Sequence, residues 1–248
     1  MKYIRPIRAG LFIFDSNDFS YKFNLFSNII SNLKDRNRDN INDDSYTLID
    51  SIVYTIQQAI GIGFDLLGDP NSARKHVGNR FEELLRIIVS NLGISNRKII
   101  FKIPYQTDEG DKFYSCETDI VISPFPEVLS DMQNLNLREI VVSSKTTSKD
   151  RMGKIFLDKI LMERFFEHEV KIVGVFLNDV QRSTRKDGSQ TISYTLVSGL
   201  FMVYTEFLTM LNGVYFIDPP PNTQKAPLNK HIASFSKFII DDIWDMIG

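Results

Sequence analysis

Residues 140–151 read IVVSSKTTSKDR, and the change from apolar to charged within this stretch decides how the chain folds around it. Its first three residues are β-branched, as in a strand buried in an α/β sheet. Lys145 then ends the run, where a charge is costly unless it is paired or lies beside a metal ion. We predict a second strand over 113–123 that carries Asp119, and we expect the two charges to meet.

A carboxylate and a lysine at the ends of neighbouring strands suit the hydrolysis of phosphodiesters with Mg²⁺. The carboxylate holds the metal near the scissile phosphate, and the cation orients or activates the attacking water. Because side chains alternate along a strand, Glu117 would share a face with Asp119. Ser143 would share a face with Lys145 in the same way. A plain ion pair at a strand edge explains Asp119 and Lys145 equally well when only these two residues are considered.

These two segments resemble the PD-(D/E)xK nuclease superfamily, with Asp119 as the first acid and Lys145 as the motif lysine. Two positions depart from the pattern, since Thr118 replaces the usual proline and Ser143 stands where an acid is expected. Residues 145–151, KTTSKDR, look like the K-x-x-x-(K/R)-(D/E)-R block of restriction endonucleases related to EcoRII and PspGI. In that branch the missing acid has moved to the following helix.

The resemblance implies a set of metal ligands. The displaced acid of the branch lies thirteen residues after the lysine, which is Asp158 here, with Glu163 as the alternative. Asp119, Asp158 and the backbone carbonyl of Ser144 would then bind Mg²⁺. Lys145 would orient the nucleophilic water, and Ser143 would replace the lost acid as a hydrogen-bonding group.

A further acid is expected on the helix that precedes the catalytic strands. The block Gly78-x-x-Phe81-Glu82 also resembles these nucleases, in which the glutamate often faces the metal site through water. Glu82 is therefore a candidate, and its neighbour Glu83 is the alternative. A glutamate on a helix is also often a plain solvated residue.

Two groups of residues are candidates for DNA contact. A helix is predicted to begin near Thr147, with Thr147-x-x-Asp150 as a capping box. Its first turn would carry Lys149, Asp150 and Arg151, and basic and acidic groups entering the major groove suit G·C pairs. Lys154 follows on the same helix. A predicted loop over 181–190 would contact phosphates through Arg182, Arg185 and Lys186. The alternatives are a capped helix with solvated charges and a solvated loop.

Composition is compatible with a compact enzyme. The chain has 248 residues, 43% of them hydrophobic, and a formal net charge of −2, so DNA would have to meet a local basic patch. The single Cys116 argues against an internal disulfide and a cysteine-based zinc site. The three histidines are scattered, which argues against a histidine-based site. Without a long apolar run or a signal-peptide pattern, a soluble cytoplasmic protein that does not enter membranes is expected.

The resemblance implies a three-layer α/β/α restriction-endonuclease-like core with a mixed central sheet. We predict a helical N-terminal region over 1–75, packed on the core or forming subunit contacts, and the nuclease core over 76–248. Apolar patterns predict helices and strands in the following ranges: helices over 45–67, 76–92, 199–211 and 232–247, and strands over 98–104, 113–123, 140–145, 171–178, 192–197 and 214–218.

A type II restriction endonuclease is the function that the resemblance implies. It would cut double-stranded DNA with Mg²⁺ at a short site containing G·C pairs, and it would act as a homodimer because twofold-related sites must face both strands. A DNA methyltransferase would protect the same sequence. The alternatives are a PD-(D/E)xK nuclease of DNA repair or junction resolution, and a DNA-binding protein that has lost catalysis.

Overall fold

Helices and strands alternate along the chain. The computed structural model describes residues 15–64, 69–148, 151–184 and 187–248. The helices are α1 (Ser16–Lys34), α2 (Asp43–Phe64), α3 (Pro70–Asn91), α4 (Arg151–Phe166), α5 (Ser198–Phe207), α6 (Phe235–Lys237) and α7 (Ile243–Ile247), with a π-helical turn at Phe238–Asp242. The strands are β1 (Ser95–Arg97), β2 (Ile100–Thr107), β3 (Gly110–Glu117), β4 (Ile120–Ser123), β5 (Ile140–Thr147), β6 (Lys171–Asn178), β7 (Val180–Thr184), β8 (Gln190–Tyr194), β9 (Gly213–Phe216) and β10 (Ile232–Ser234).

A six-stranded mixed sheet organises these elements, in the order β1-β4-β5-β6-β9-β10. The β1–β4 and β4–β5 pairs are antiparallel, whereas β5–β6, β6–β9 and β9–β10 are parallel. The parallel strands β5 and β6 are joined by α4, because a parallel pair needs a crossover connection, usually a helix. The predicted α/β class with a mixed central sheet is therefore confirmed.

Helices cover both faces of this sheet, because its strands are apolar at successive positions. One core lies between the sheet and α1, α2, α3 and the C-terminal helical segment, and it includes Ile120, Ile140 and Val142. A second core lies on the opposite face against α4 and α5, and it includes Val121 and Val141. Alternate residues of each strand thus enter alternate cores, and the three layers follow.

The strand predicted over 113–123 is wrong in one respect that matters for the site. It is two strands, because the chain leaves the β2–β3 hairpin at Glu117 and enters the main sheet at Ile120. Thr118 fixes the break, since its backbone N–H and its hydroxyl both donate to the Ile99 carbonyl, at 3.0 and 2.8 Å. Glu117 is exposed and Asp119 is buried, so the two acids do not share a face.

Three further predictions need correction. Thr147 is the last residue of β5, and the Met152 N–H donates to the Ser148 carbonyl, so the helix does not begin at Thr147. Asp150, the second residue of the predicted capping box, lies outside the described residues. The loop predicted over 181–190 is largely the β7–β8 hairpin. The helix predicted over 232–247 begins instead with the short strand β10, which pairs with β9.

Candidate active site

Asp119 and Lys145 meet where β4 begins and β5 ends. This side of the sheet, formed by the ends of strands, is called the edge below. The Lys145 ammonium donates to Oδ2 of Asp119 and also to the Ser144 carbonyl, the latter at 2.9 Å. The same Oδ2 accepts the Ser144 backbone N–H at 2.7 Å. Asp119 is only 8% exposed. A carboxylate, a backbone carbonyl and an ammonium group therefore converge on one point.

The antiparallel register of β4 and β5 produces this convergence. Ile120 pairs with Val142, so Asp119, one residue earlier, lies beside the continuation of β5 beyond Val142. Asp119 and Val121 point to the same face because side chains alternate, and Lys145 and Val141 do so as well. Since Val121 and Val141 belong to the core under α4, the catalytic candidates face the α4 layer.

The donor set fits Mg²⁺. This ion prefers oxygen ligands and is commonly held in proteins by one or two carboxylates, with waters and substrate phosphate completing its shell. The Asp119 carboxylate and the Ser144 carbonyl supply two oxygens that already share one cation, the Lys145 ammonium. Among the described residues no group of three or more His, Cys, Asp or Glu lies close enough to form a metal cluster. The protein alone thus offers a sparse site of the magnesium type.

Glu82 approaches this site from α3. Burial raises the pKa of its carboxyl, the negative charge of Asp119 raises it further, and Lys98 and Lys145 act in the opposite direction. Lys98 also binds it directly, with Nζ 3.3 Å from Oε2. Glu83 instead pairs with Arg80 on the exposed side of the helix. Of the two neighbouring glutamates, Glu82 is the one within electrostatic reach of Asp119.

Lys98 was not anticipated from the sequence. It lies between β1 and β2, and nothing in its local pattern distinguishes it from a solvated lysine. Its contact with Glu82 spans sixteen residues of the chain and depends on how α3 packs beside these strands. Only the folded structure shows that two lysines and two acids share this edge.

Asp158 lies in the middle of α4 and pairs with Lys154, whose Nζ is 2.7 and 2.6 Å from its two carboxylate oxygens. Its electrostatic link to the site runs through Cys116. Burial is the main reason that the pKa of the Cys116 thiol rises to about 11, and the negative charge of Asp158 is the second. Cys116 precedes Asp119 by three residues. Asp158 thus lies on the α4 side of the sheet, the side that Asp119 and Lys145 face. Its role as a metal ligand stays a prediction.

Glu163, the alternative acid, is held elsewhere. Its carboxylate accepts the Val170 N–H at 3.3 Å and lies 3.5 Å from Lys159. Val170 immediately precedes β6, whose first residue pairs with Ile140, whereas Lys145 pairs with Phe176. Five strand residues, about 16 Å at ~3.3 Å each, therefore separate the Val170 end of the sheet from Lys145. Glu163 therefore lies far from Lys145 along the sheet.

The two serines of the motif differ in environment. Ser143 is half-buried in β5 opposite Gly174 of β6, on the same face as Lys145. Ser144 points to the α3 face, and its buried hydroxyl has no hydrogen-bond partner among the described residues. Ser144 therefore meets Asp119 and Lys145 through its backbone N–H and carbonyl. Ser143 has its side chain on the face that carries Lys145.

The residues predicted to contact DNA are only partly described. Arg151 is exposed in the first turn of α4, and Lys154 lies one turn further on. Lys149, Asp150, Arg185 and Lys186 lie outside the described residues. Arg182 lies in β7 and not in a loop, so the surface predicted for phosphate contact is a strand hairpin.

Comparison with known proteins identifies the fold. No family model and no curated protein matches the sequence. The crystal structure of the type IIP restriction endonuclease Kpn2I matches with a TM-score of 0.69 and 18% identity, over 98% of this chain and 76% of that chain. A complex of the restriction endonuclease PspGI with substrate DNA matches with a TM-score of 0.48 and 14% identity, over 100% and 99% of the two chains. Metal-depleted Ecl18kI with uncleaved DNA matches with a TM-score of 0.41 and 14% identity, over 92% and 63%.

The chain thus has the fold of type II restriction endonucleases, as its motifs predicted. In the part of the chain that the structure describes, the helices are too short or too polar to span a membrane.

Proposed function

We propose that this protein is a type II restriction endonuclease that hydrolyses double-stranded DNA at a specific sequence with Mg²⁺. The observation that carries the proposal is the convergence of Asp119, the Ser144 carbonyl and Lys145 at one edge of the sheet. The restriction-endonuclease fold supports it. An ion pair without a catalytic role would account for Asp119 and Lys145 but not for Glu82, a second half-buried acid beside them.

In this proposal Asp119, Asp158 and the Ser144 carbonyl hold the metal. Bound Mg²⁺ would polarise the scissile phosphate and stabilise the charge that develops on it. Lys145 exchanges its hydrogen bond to Asp119 for one to the attacking water, which it orients. Glu82 accepts from water at the edge of the site, and Lys98 keeps the Glu82 carboxylate in place. Ser143 offers a hydroxyl where related enzymes carry an acid.

Recognition of DNA is assigned to the start of α4. Arg151 is exposed there, and the segment 149–151 combines two basic groups with one acidic group. Such a combination suits guanine and cytosine edges in the major groove, so the target contains G·C pairs. Arg182 would contact phosphates from β7, and the same role is assigned to Arg185 and Lys186, which lie outside the described residues.

The proposed enzyme works with defined partners. A homodimer places two equivalent sites on the two strands of a short twofold-symmetric target. A DNA methyltransferase of the same restriction-modification system would protect that target in the host cytoplasm.

The direct test is to incubate the purified protein with unmethylated phage DNA, with Mg²⁺ or with a chelator. We expect discrete fragments that require Mg²⁺, and none from Lys145→Met. The matched control is Lys112→Met, which removes an exposed lysine of the β2–β3 hairpin and should leave cleavage unchanged. Cleavage confined to branched DNA would favour a repair or junction nuclease. Specific binding without any cleavage would favour a protein that has lost catalysis.

A further inference from the structure

Helix α5 presents an apolar stripe to the solvent. Val197, Leu200, Val203 and Phe207 recur every three or four residues and are all exposed, with Phe207 73% exposed. The opposite side of the helix packs on the protein through Phe201. Nothing in the described ranges covers the stripe. A helix that is apolar on both sides is normally buried on both.

Neighbouring residues widen this stripe into a surface, which we call the α5 face: Tyr194, Val197, Leu200, Val203, Phe207, Leu208 and Met210, all exposed. Their exposed area is on the order of 700 Å², against ~800 Å² per partner in a standard protein interface. Monomeric proteins seldom leave an apolar patch larger than about a few hundred Å² in contact with water. The α5 face is therefore of the right size for a protein partner.

Charge excludes DNA as the occupant of the α5 face. Helix α5 contains no lysine or arginine, and its single charged residue is the exposed Glu206. Binding to DNA depends on cations that neutralise phosphates. An apolar surface carrying one acid would instead repel the DNA backbone and suits an apolar protein surface.

The α5 face has a cavity at one end and the exposed side chain of Phe207 at the other. The cavity has a volume of about 500 Å³ and lies between the first turns of α4 and α5, where Met152, Tyr194, Val197 and Leu200 line it. Phe207 projects seven residues after Leu200, about 10 Å along the helix at ~1.5 Å per residue. Two α5 helices crossing antiparallel near Val203 would bring each Phe207 to the cavity of the other copy.

We propose that the α5 face is the surface through which two copies of this chain form their twofold dimer, with Phe207 of each copy entering the cavity beside Leu200 of the other. This rests on the proposed function. Helix α5 packs on α4, with the ring centroids of Phe156 and Tyr204 5.5 Å apart. Since α4 follows β5, which carries Lys145, pairing through α5 sets one catalytic centre on each side of the twofold axis.

The mass of the full-length protein in solution, measured by sedimentation without DNA or metal, tests this proposal. We expect a dimer for the wild type and a monomer for Val203→Asp and Phe207→Asp, at least a hundredfold weaker in self-association. Leu137→Asp is the matched control, because Leu137 is 62% exposed but lies in the loop before β5, and it should stay dimeric. A monomeric wild type would overturn the proposal, and so would a dimeric Val203→Asp variant.

A disulfide tests the antiparallel arrangement. Two cysteines at position 203 would face each other across the twofold axis, within the narrow range of Cα separations that a disulfide allows. Mild oxidation should therefore join Val203→Cys subunits but not Leu137→Cys subunits, and the native Cys116 is buried. A dimeric Val203→Cys variant that forms no disulfide would overturn the symmetric pairing.

The outcomes separate this inference from the proposed function. A dimer that dissociates in Val203→Asp but never cuts DNA would support the α5 face and refute the nuclease. An active enzyme whose dimer is unchanged in Val203→Asp would do the reverse.

Discussion

Lys145 and Asp119 form an ion pair although twenty-six residues separate them in the chain. Their side chains are 19% and 11% exposed, so removal of either partner would leave a partly buried charge. The Ser144 N–H donates to the same carboxylate oxygen that Lys145 binds. The backbone therefore holds Asp119 independently of Lys145. In the proposed function it is Lys145 that gives way to a metal ion or a water.

Catalysis should depend on both members of this pair. Lys145→Met and Asp119→Asn should lower the cleavage rate by several orders of magnitude and change DNA affinity by less than about tenfold, because they remove the water-orienting and metal-binding groups only. Single-turnover cleavage and a gel-shift assay would measure the two effects. A Lys145→Met enzyme that cuts at the wild-type rate would show that the site is elsewhere.

Metal affinity should respond oppositely to the same two changes. Lys145 occupies the oxygens of Asp119 and Ser144 that Mg²⁺ would need, so Lys145→Met should bind Mg²⁺ more tightly than the wild type. Asp119→Asn should bind it more weakly. Calorimetric titration of the protein with Mg²⁺ measures both. Equal affinities in all three proteins would contradict a metal site at Asp119.

The relocated acid can be identified by comparing two residues of α4. Asp158→Asn should lose cleavage by orders of magnitude, whereas Glu163→Gln should stay close to the wild type, because Glu163 binds the Val170 N–H at the opposite edge of the sheet. Ser143→Ala should have a smaller effect than Asp158→Asn, about tenfold or less, since a hydroxyl offers one hydrogen bond of ~1 kcal/mol. The opposite ranking of Asp158 and Glu163 would refute this assignment.

Sequence preference should weaken when Arg151 is removed. Arg151→Ala should cost roughly 1–3 kcal/mol in specific binding and relax the choice at one base pair. Arg164→Ala is the control, because Arg164 is an exposed arginine at the other end of the same helix. Binding to a library of single-base variants of the target would measure both. A target made only of A·T pairs would rule out this role for Arg151.

Stability should fall with rising pH because of Asp50. Burial is the main reason that the pKa of this carboxyl rises from 3.8 to about 8, and the charge of Asp218 acts in the same direction. Hydrogen bonds from the N–H and hydroxyl of Ser236, at 2.8 and 2.7 Å, act against both. The contribution of this group is complete below 3.8 and is lost as the pH rises through about 8.

The variant Asp50→Asn isolates this effect because it cannot ionise. Its free energy of unfolding should increase relative to that of the wild type between pH 5 and pH 9. The increase should be about 1.4 kcal/mol for each pH unit that lies between the unfolded and the folded pKa of Asp50. Urea unfolding at several pH values measures the difference. Asp39→Asn, at an exposed position, should follow the wild type throughout. Parallel pH profiles for Asp50→Asn and the wild type would contradict the prediction.

The apolar runs around 120–122 and 140–142 were sufficient to predict the two central strands and the meeting of Asp119 with Lys145. Local patterns could not show the break at Thr118, because residues 117–119 contain no glycine or proline that would mark it. The break depends on the hydrogen bonds from Thr118 to the distant Ile99 carbonyl. The residues of the β7–β8 hairpin predict a loop, because hydroxyl and charged residues dominate them.

Contacts between segments that are distant in the chain could not be predicted from local sequence patterns. Lys98 meets Glu82 only after α3 has packed beside the strands. The exposure of the α5 face could not be predicted from the sequence either. The same apolar pattern is expected whether the second side of the helix is buried by its own chain or by another chain.

The loop over 124–139 offers a practical handle on the molecule. It connects β4 to β5 at the edge opposite Lys145, since Ile122 pairs with Ile140 there. Glu139 holds this loop by accepting the N–H groups of Leu129 and Ser130, at 2.6 and 2.9 Å. A fluorophore or a surface tether attached at Leu137 would therefore stand some 16 Å or more, five strand residues, from the catalytic edge. If the proposed function holds, single molecules of the protein could then be followed along stretched DNA without the dye obstructing the site at Asp119 and Lys145.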